Sequence, residues 1–307
     1  MRPMSLRSIP GVVHVEVLRG ARAPDGAPPD LLVEVPHGAD ERAHYDALSA
    51  QLHSPLPERL HGFFHVNTDI GAWAYGRLAA ERVVGARPET TVLLVRCLVP
   101  RTFVDTNREL ATADDLARGG LTAAMPPYVT DPRDHALLNR LHGDYVGVIE
   151  AAYEQTCGAG GLALSPHTYG PYVLPIAKID DSIVLQLEAA HAPGTVETLA
   201  VRPEIDLLAD TKEGECLADP ALVLDVQRRL DAAGYAVARS RTYQLLPGSQ
   251  TYRLSRMHPG RVFCLEVRRD LLVRHYTALT AMEVDPAKVR RLAEPLADSL
   301  VAALSVR

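Results

Sequence analysis

Short runs rich in Val, Ile and Leu alternate along this chain with longer stretches in which apolar residues recur every three or four positions. Continuous apolar runs suit strands covered on both faces, and the amphipathic stretches suit the helices that cover them. The pattern predicts an α/β fold, a mixed and mostly parallel sheet with helices on both faces. Strands are expected at 12–18, 31–35, 91–97, 161–165, 183–188, 235–239 and 262–268.

Helix starts are marked more sharply. Asp131-Pro132, Asp219-Pro220 and Asp285-Pro286 each set a capping carboxylate before a proline, whose missing N–H costs nothing at the first helical position. After the first, Leu137, Leu141, Tyr145, Val148, Ile149 and Ala152 recur at helical spacing up to the Gly158–Gly161 break. Asn67 or Thr68 is expected to cap a helix through Trp73, Leu78 and Val83, and Pro295 to kink the last helix. No repeat of fixed period and no linker stands out, so residues 1–307 are read as one domain.

Composition narrows the class of function. With 307 residues, 47% of them hydrophobic, the chain can bury a large core without disulfides. Cys97, Cys157, Cys216 and Cys264 are too scattered for a redox pair or a thiolate metal site, and a reducing cytoplasm is the expected setting. No run approaches the ~18 consecutive apolar residues of a membrane span. A net charge of −6 and a pI near 6.1, with mixed signs throughout, argue against nucleic acid. The expected partner is a small molecule, and the oligomeric state stays open.

Three segments could carry chemistry. In Leu31 to Asp40 a buried-type strand is stopped by Pro36 and followed by His37 and, three residues on, Asp40. Such a turn can offer an imidazole and a carboxylate to one zinc ion, with His167, near the end of another apolar run, as a third donor. The same spacing fits two loop histidines with no common task. In Arg101 to Arg108, Asn107 and Arg108 could bind a carboxylate through the planar guanidinium fork, or Asp105 could form a surface ion pair or a helix cap. In Val262 to Arg268, Glu266 interrupts an apolar run, as a general base with a raised pKa or as a partner of Arg268 or Arg269. Other signals are weaker. His61 and His65 lack the H-E-x-x-H pattern, Gly158 to Gly161 lacks the Lys of a phosphate loop, Ser165 has no nucleophile elbow, and Asp180-Asp181 reads as a solvated turn.

Taken together, these segments resemble the N-formylglutamate amidohydrolase family and, more distantly, the zinc carboxypeptidases. Pro36-His37-Gly38 is similar to the family's Pro-His-Ser/Ala-Gly turn, and Arg101 to Arg108 to its Arg-x-x-x-Asp-x-Asn-Arg segment. Pro166-His167-Thr168 stands where the families have Asp-x-His-Ser or Phe-His-Ser, and Leu265 to Arg268 resembles Gln-x-Glu-x-Arg or Glu-Leu-Arg. The resemblance implies a carboxypeptidase-like (phosphorylase/hydrolase-like) fold. It also implies zinc held by His37, Asp40 (or the adjacent Glu41) and His167, with Glu266 as general base, Arg101 stabilising the oxyanion, and Asn107 with Arg108 anchoring a substrate carboxylate. The family's Asn-x-Pro-Tyr-x-Gly-Gly stretch has no counterpart in 243–256.

The expected activity is therefore zinc-dependent hydrolysis of the amide bond of a small, carboxylate-bearing N-acyl amino acid, the acyl group being N-formyl in the family. A carboxypeptidase-like peptidase and a metal-free binding protein on the same fold are the rivals.

Overall fold

The computed structural model describes residues 6–110, 121–176 and 178–305. Seven strands form one sheet: β1 (Val13–Arg19), β2 (Leu31–Val35), β3 (Thr91–Cys97), β4 (Leu162–Tyr169), β5 (Ile205–Leu208), β6 (Val237–Arg239) and β7 (Val262–Arg268), ordered β1-β3-β2-β4-β7-β5-β6. The centre, β3-β2-β4-β7, is parallel throughout, while β1 pairs antiparallel with β3 and β5 antiparallel with β7. This is the mixed, mostly parallel sheet that the apolar runs predict.

Helices cover both faces. Leu31, Val33 and Val35 of β2 point with Leu162, Leu164, Phe263 and Leu265 toward α3 (Ala72–Ala86), α6 (Pro220–Ala232) and α8 (Pro286–Ser305). Leu32, Ala163 and Val262 face the opposite layer of α1 (Arg42–Ser49), α2 (His61–Asn67), α4 (Pro132–Thr156), α5 (Ile183–Ala190) and α7 (Gln250–Met257). Among the described residues no helix is long and apolar enough to cross a membrane.

The Asp-Pro starts behave as expected. Asp131, Asp219 and Asp285 each accept a backbone N–H two residues on, and α8 continues through Pro295. Four expectations need correction. The run 183–188 is helical: Ile183, Val184, Leu187 and Ala190 are buried while Leu185 is exposed, a helical spacing that a short apolar run cannot distinguish from a strand. β5 escapes the pattern because Asp206 interrupts it; that buried carboxylate is satisfied by the backbone N–H groups of Arg241 and Thr242. α3 starts at Ala72 behind Gly71, whose φ of +91° suits only glycine, while Asn67 ends α2. β4 runs past Ser165 to Tyr169, so His167 lies within the strand. Pro166 is tolerated there because pairing with β2 reaches only as far as Leu164.

All four central strands end at the same edge, and antiparallel β5 begins there. The segments carrying His37, Arg101 to Arg108, His167, Glu266 and Arg202 are therefore gathered along one side of the sheet. α3 is seated against the strands below this edge, and the Tyr75 hydroxyl donates to the His167 carbonyl at 3.1 Å. Gly76 permits the close approach: a Cβ there would stand 2.9 Å from Pro166 Cγ and 3.0 Å from Val33 Cγ1. Gly76→Ala should gain up to ~1 kcal/mol of helix propensity. It should lose more to overpacking, which typically costs about 1–3 kcal/mol. A lowered thermal midpoint is expected; an unchanged or raised one would show that the α3 contact can relax freely.

Candidate metal centre

The turn after β2 is built around Arg96 of β3. Its Nε donates to the Gly38 carbonyl at 2.8 Å, and a Cβ on Gly38 would lie 2.6 Å from Arg96 Cγ, so glycine is required for the side chain to cross the turn. Residues between α2 and α3 are then stitched to the same turn. Thr68 Oγ1 donates to the Ala39 carbonyl at 2.9 Å, and Asp69 N donates to the His37 carbonyl at 3.2 Å.

That stitching delivers the Asp69 carboxylate to two histidines. Asp69 Oδ2 lies 3.2 Å from His37 Nδ1 and 3.0 Å from His167 Nδ1, and one ligand atom from each of the three residues lies within 4.8 Å of the others. All three side chains are buried. The carboxylate that joins the histidines is thus Asp69, not Asp40 or Glu41. Arg96 Nη2 instead holds Asp40 Oδ1 at 2.7 Å and Glu41 Oε1 at 3.0 Å, so both acids expected as ligands are engaged by a cation. Asp69 lies 32 residues beyond His37, and its only local signal, an acid shortly before a helix, reads as a cap.

The outer nitrogens of both histidines are also occupied. His37 Nε2 lies 2.9 Å from Asp105 Oδ1, and the other oxygen of Asp105 accepts from Arg101 Nε at 2.9 Å with Arg108 Nε 3.8 Å away. Burial alone would raise the Asp105 carboxyl, but the charges of Arg101, Arg108 and His37 hold it well below the usual range. Burial likewise opposes the charge on Asp69, and His37 and His167 outweigh it. On the other side, His167 Nε2 lies 3.3 Å from Ser165 Oγ.

This donor set fits a zinc-like cation. Zinc takes imidazole and carboxylate ligands at about 2.0–2.2 Å, so two ligands of a tetrahedral site lie roughly 3.4 Å apart. The spacings of 3.0 and 3.2 Å are close to that edge. Each Nδ1 faces the centre and each Nε2 has an outer partner, as metal-bound histidines require. His61 and His65 do not join the cluster; burial lowers His65 to about 4.

A cavity of about 760 Å³ opens on the cluster, lined by His37, His167, Glu266, Arg101, Asn107 and Arg108 among others. Glu266 is paired in register with His167 on the adjacent strand, and its Oε2 is buried with no hydrogen-bond partner among the described residues. Burial pushes its carboxyl up to about 7, with His167 opposing the shift and Asp69 adding to it. Neither arginine suggested by the sequence pairs with Glu266: Arg268 is held by Asp270 at 2.8 Å, and Arg269 donates to the Val66 carbonyl at 2.6 Å. Asn107 Oδ1 accepts from Thr251 N and Oγ1 at 3.0 and 2.9 Å, which fixes the amide on the cavity wall. Arg108 Nε is buried and donates no hydrogen bond among the described residues.

Comparison with known proteins gives a likeness of fold. No family model and no curated protein sequence matches the chain. Among solved structures, the N-formylglutamate amidohydrolase from Ralstonia eutropha JMP134 superposes with a TM-score of 0.58 at 18% identity, covering 96% of this chain and 98% of that one. A gene product of Agrobacterium tumefaciens gives a TM-score of 0.53 at 20% identity, over 96% and 95%. The architecture implied by the sequence motifs is therefore the architecture the chain adopts.

The position of the carboxylate makes a sharp contrast between two variants. Asp69→Ala should abolish retention of zinc after dialysis, read by elemental analysis, whereas Asp40→Ala should keep it near the parent level. The reverse ranking would return the ligand role to the turn.

Proposed function

We propose that the chain is a zinc-dependent amidohydrolase that releases the acyl group, formyl in the first instance, from a small N-acyl amino acid. The observation that carries this reading is Glu266: a half-buried side chain with one buried carboxylate oxygen unpartnered among the described residues, in a cavity wall shared with both histidines of the His/Asp/His cluster. The name of the Ralstonia neighbour supports the acyl amino acid as the first substrate to try. A cytoplasmic setting belongs to the same proposal, on the scattering of the cysteines.

A zinc ion held by His37, Asp69 and His167 would supply Lewis acidity, easing deprotonation of water and polarising a carbonyl. The chain's own groups do the remainder. Glu266 takes the proton of the attacking water on its carboxylate and returns it to the leaving nitrogen. Arg101, held by Asp105, presents its remaining N–H groups to the oxygen on which negative charge develops, where a preorganised donor acts most strongly in the transition state. Asn107 and Arg108, both on the cavity wall, anchor the substrate carboxylate, the guanidinium through a charge-assisted hydrogen bond.

Glu266→Gln keeps the shape but cannot accept a proton, so zinc content should persist while kcat falls roughly a hundredfold or more. Near-parental turnover on any accepted substrate would overturn the mechanism. The panel should contain N-formyl and N-acetyl glutamate and aspartate alongside dipeptides; turnover of the dipeptides alone would make the protein a peptidase.

The base must be ionised to act, so activity is lost as pH falls through its pKa. Burial, opposed by His167 and reinforced by Asp69, sets that near 7, and the charge of a bound cation would move it lower. The acid limb of kcat/KM is therefore expected at or below neutral pH; a flat profile from pH 5 to 8 would remove Glu266 as the titrating group. Arg108→Ala should raise KM by about tenfold or more with a smaller effect on kcat, as loss of uniform binding requires. An unchanged KM would place the anchor elsewhere.

A further inference from the structure

Glu34 is the one acid in β2, and it points to the α4 side of the sheet, beneath the candidate metal centre. It is 3% exposed, and among the described residues no Arg, Lys or His forms an ion pair with it. Its partners are hydroxyls. Ser165 Oγ donates to Oε2 at 3.1 Å, Tyr145 donates to Oε1, and the Tyr153 hydroxyl lies 3.5 Å from Oε2. A buried carboxylate supported only by hydroxyls is costly to keep, and the proposed hydrolysis makes no use of it.

Ser165 supplies the connection. Its hydroxyl lies 3.1 Å from Glu34 and 3.3 Å from His167 Nε2. A hydroxyl has one hydrogen; once it is given to Glu34, only lone pairs remain for the imidazole. With Glu34 ionised, His167 Nε2 must then be the donor, and in the neutral imidazole Nδ1, which faces Asp69, carries the lone pair a metal needs. The neighbouring Cys264, in register with Ser165, also contacts the ring, but a thiol is a weak acceptor and cannot impose this direction.

We propose that Glu34 is a positioning residue which, through the Ser165 hydroxyl, sets the tautomer of His167 and so prepares Nδ1 to ligate the metal. His37 obtains the same orientation directly from Asp105, so the two histidines are oriented by two carboxylates, one in contact and one relayed. The inference rests on the metal-centre reading above.

The test uses zinc itself as the probe, titrated by chelator competition into the parent, Ser165→Ala, Glu34→Gln and the double variant, with thermal midpoints of the metal-free proteins measured in parallel. Glu34→Gln can donate to Ser165 and so reverse the relay. Each single variant should bind zinc roughly tenfold to a hundredfold more weakly, the usual effect of removing an outer partner of a metal-bound histidine. The double variant should be no weaker than the weaker-binding single, because both changes break one relay. Parental zinc affinity with only a lowered midpoint would make Glu34 structural and overturn the inference, as would additive losses. Should Glu34→Gln fail to fold, Ser165→Ala decides alone, and parental affinity in that variant overturns the relay. His167→Ala keeps the two readings apart. Zinc retained there, or absent from the parent, sinks the metal centre itself; zinc lost there but held normally by Ser165→Ala sinks only the relay.

Discussion

The site depends on His37 being gripped from two sides by carboxylates, Asp69 on Nδ1 and Asp105 on Nε2. Neither acid could be buried alone. Asp105 is held by Arg101 and Arg108, and Asp69 is shared between His37 and His167, so each buried charge is compensated within the cluster. The same contacts tie four separate stretches of chain together: the turn after β2, the link into α3, the loop after β3 and the end of β4. A site so constructed is preorganised, because moving any one member would leave a buried charge exposed to an apolar wall.

Four carboxylates in this region show how environment divides one chemical group among several roles. Asp105 is held ionised by Arg101 and Arg108, and Asp69 by the two histidines that share it. Glu34 is surrounded by hydroxyls, and Glu266 has no partner on one oxygen. Paired acids suit holding a ligand or a histidine in place, while an unpaired acid whose pKa burial has raised suits taking and returning a proton. The arginines divide in the same way. Arg269 is consumed by backbone carbonyls and Arg96 by the turn, whereas Arg101 and Arg108 stand beside Asp105 on the cavity wall. In a chain of net charge −6, the cavity lining thus carries more cationic side chains than anionic ones.

Much of this was legible in the order of residues. The apolar runs mark the parallel strands because strands covered on both faces must be apolar throughout, and the Asp-Pro pairs mark helix starts because capping is a local interaction. His37, His167, Asn107, Arg108 and Glu266 stand out where a polar residue breaks or ends such a run, and the structure gathers all five around one cavity. Strand ends point at the same edge in a parallel sheet, so sequence placement carries spatial meaning there.

The choice of Asp69 over Asp40 was decided only by tertiary contacts. Spacing along the turn favours Asp40, yet Arg96 reaches across Gly38 from the next strand and claims it, while Thr68 and Asp69 are bonded to the turn from the far end of α2. The helical state of 183–190 and the strand at 205–208 were decided likewise, the first by which faces are buried and the second by backbone partners for Asp206. Local pattern determines what a segment can be and which way it faces. Which of several nearby acids meets a given histidine is settled by cations and backbone donors contributed from distant segments, whose positions no local spacing encodes.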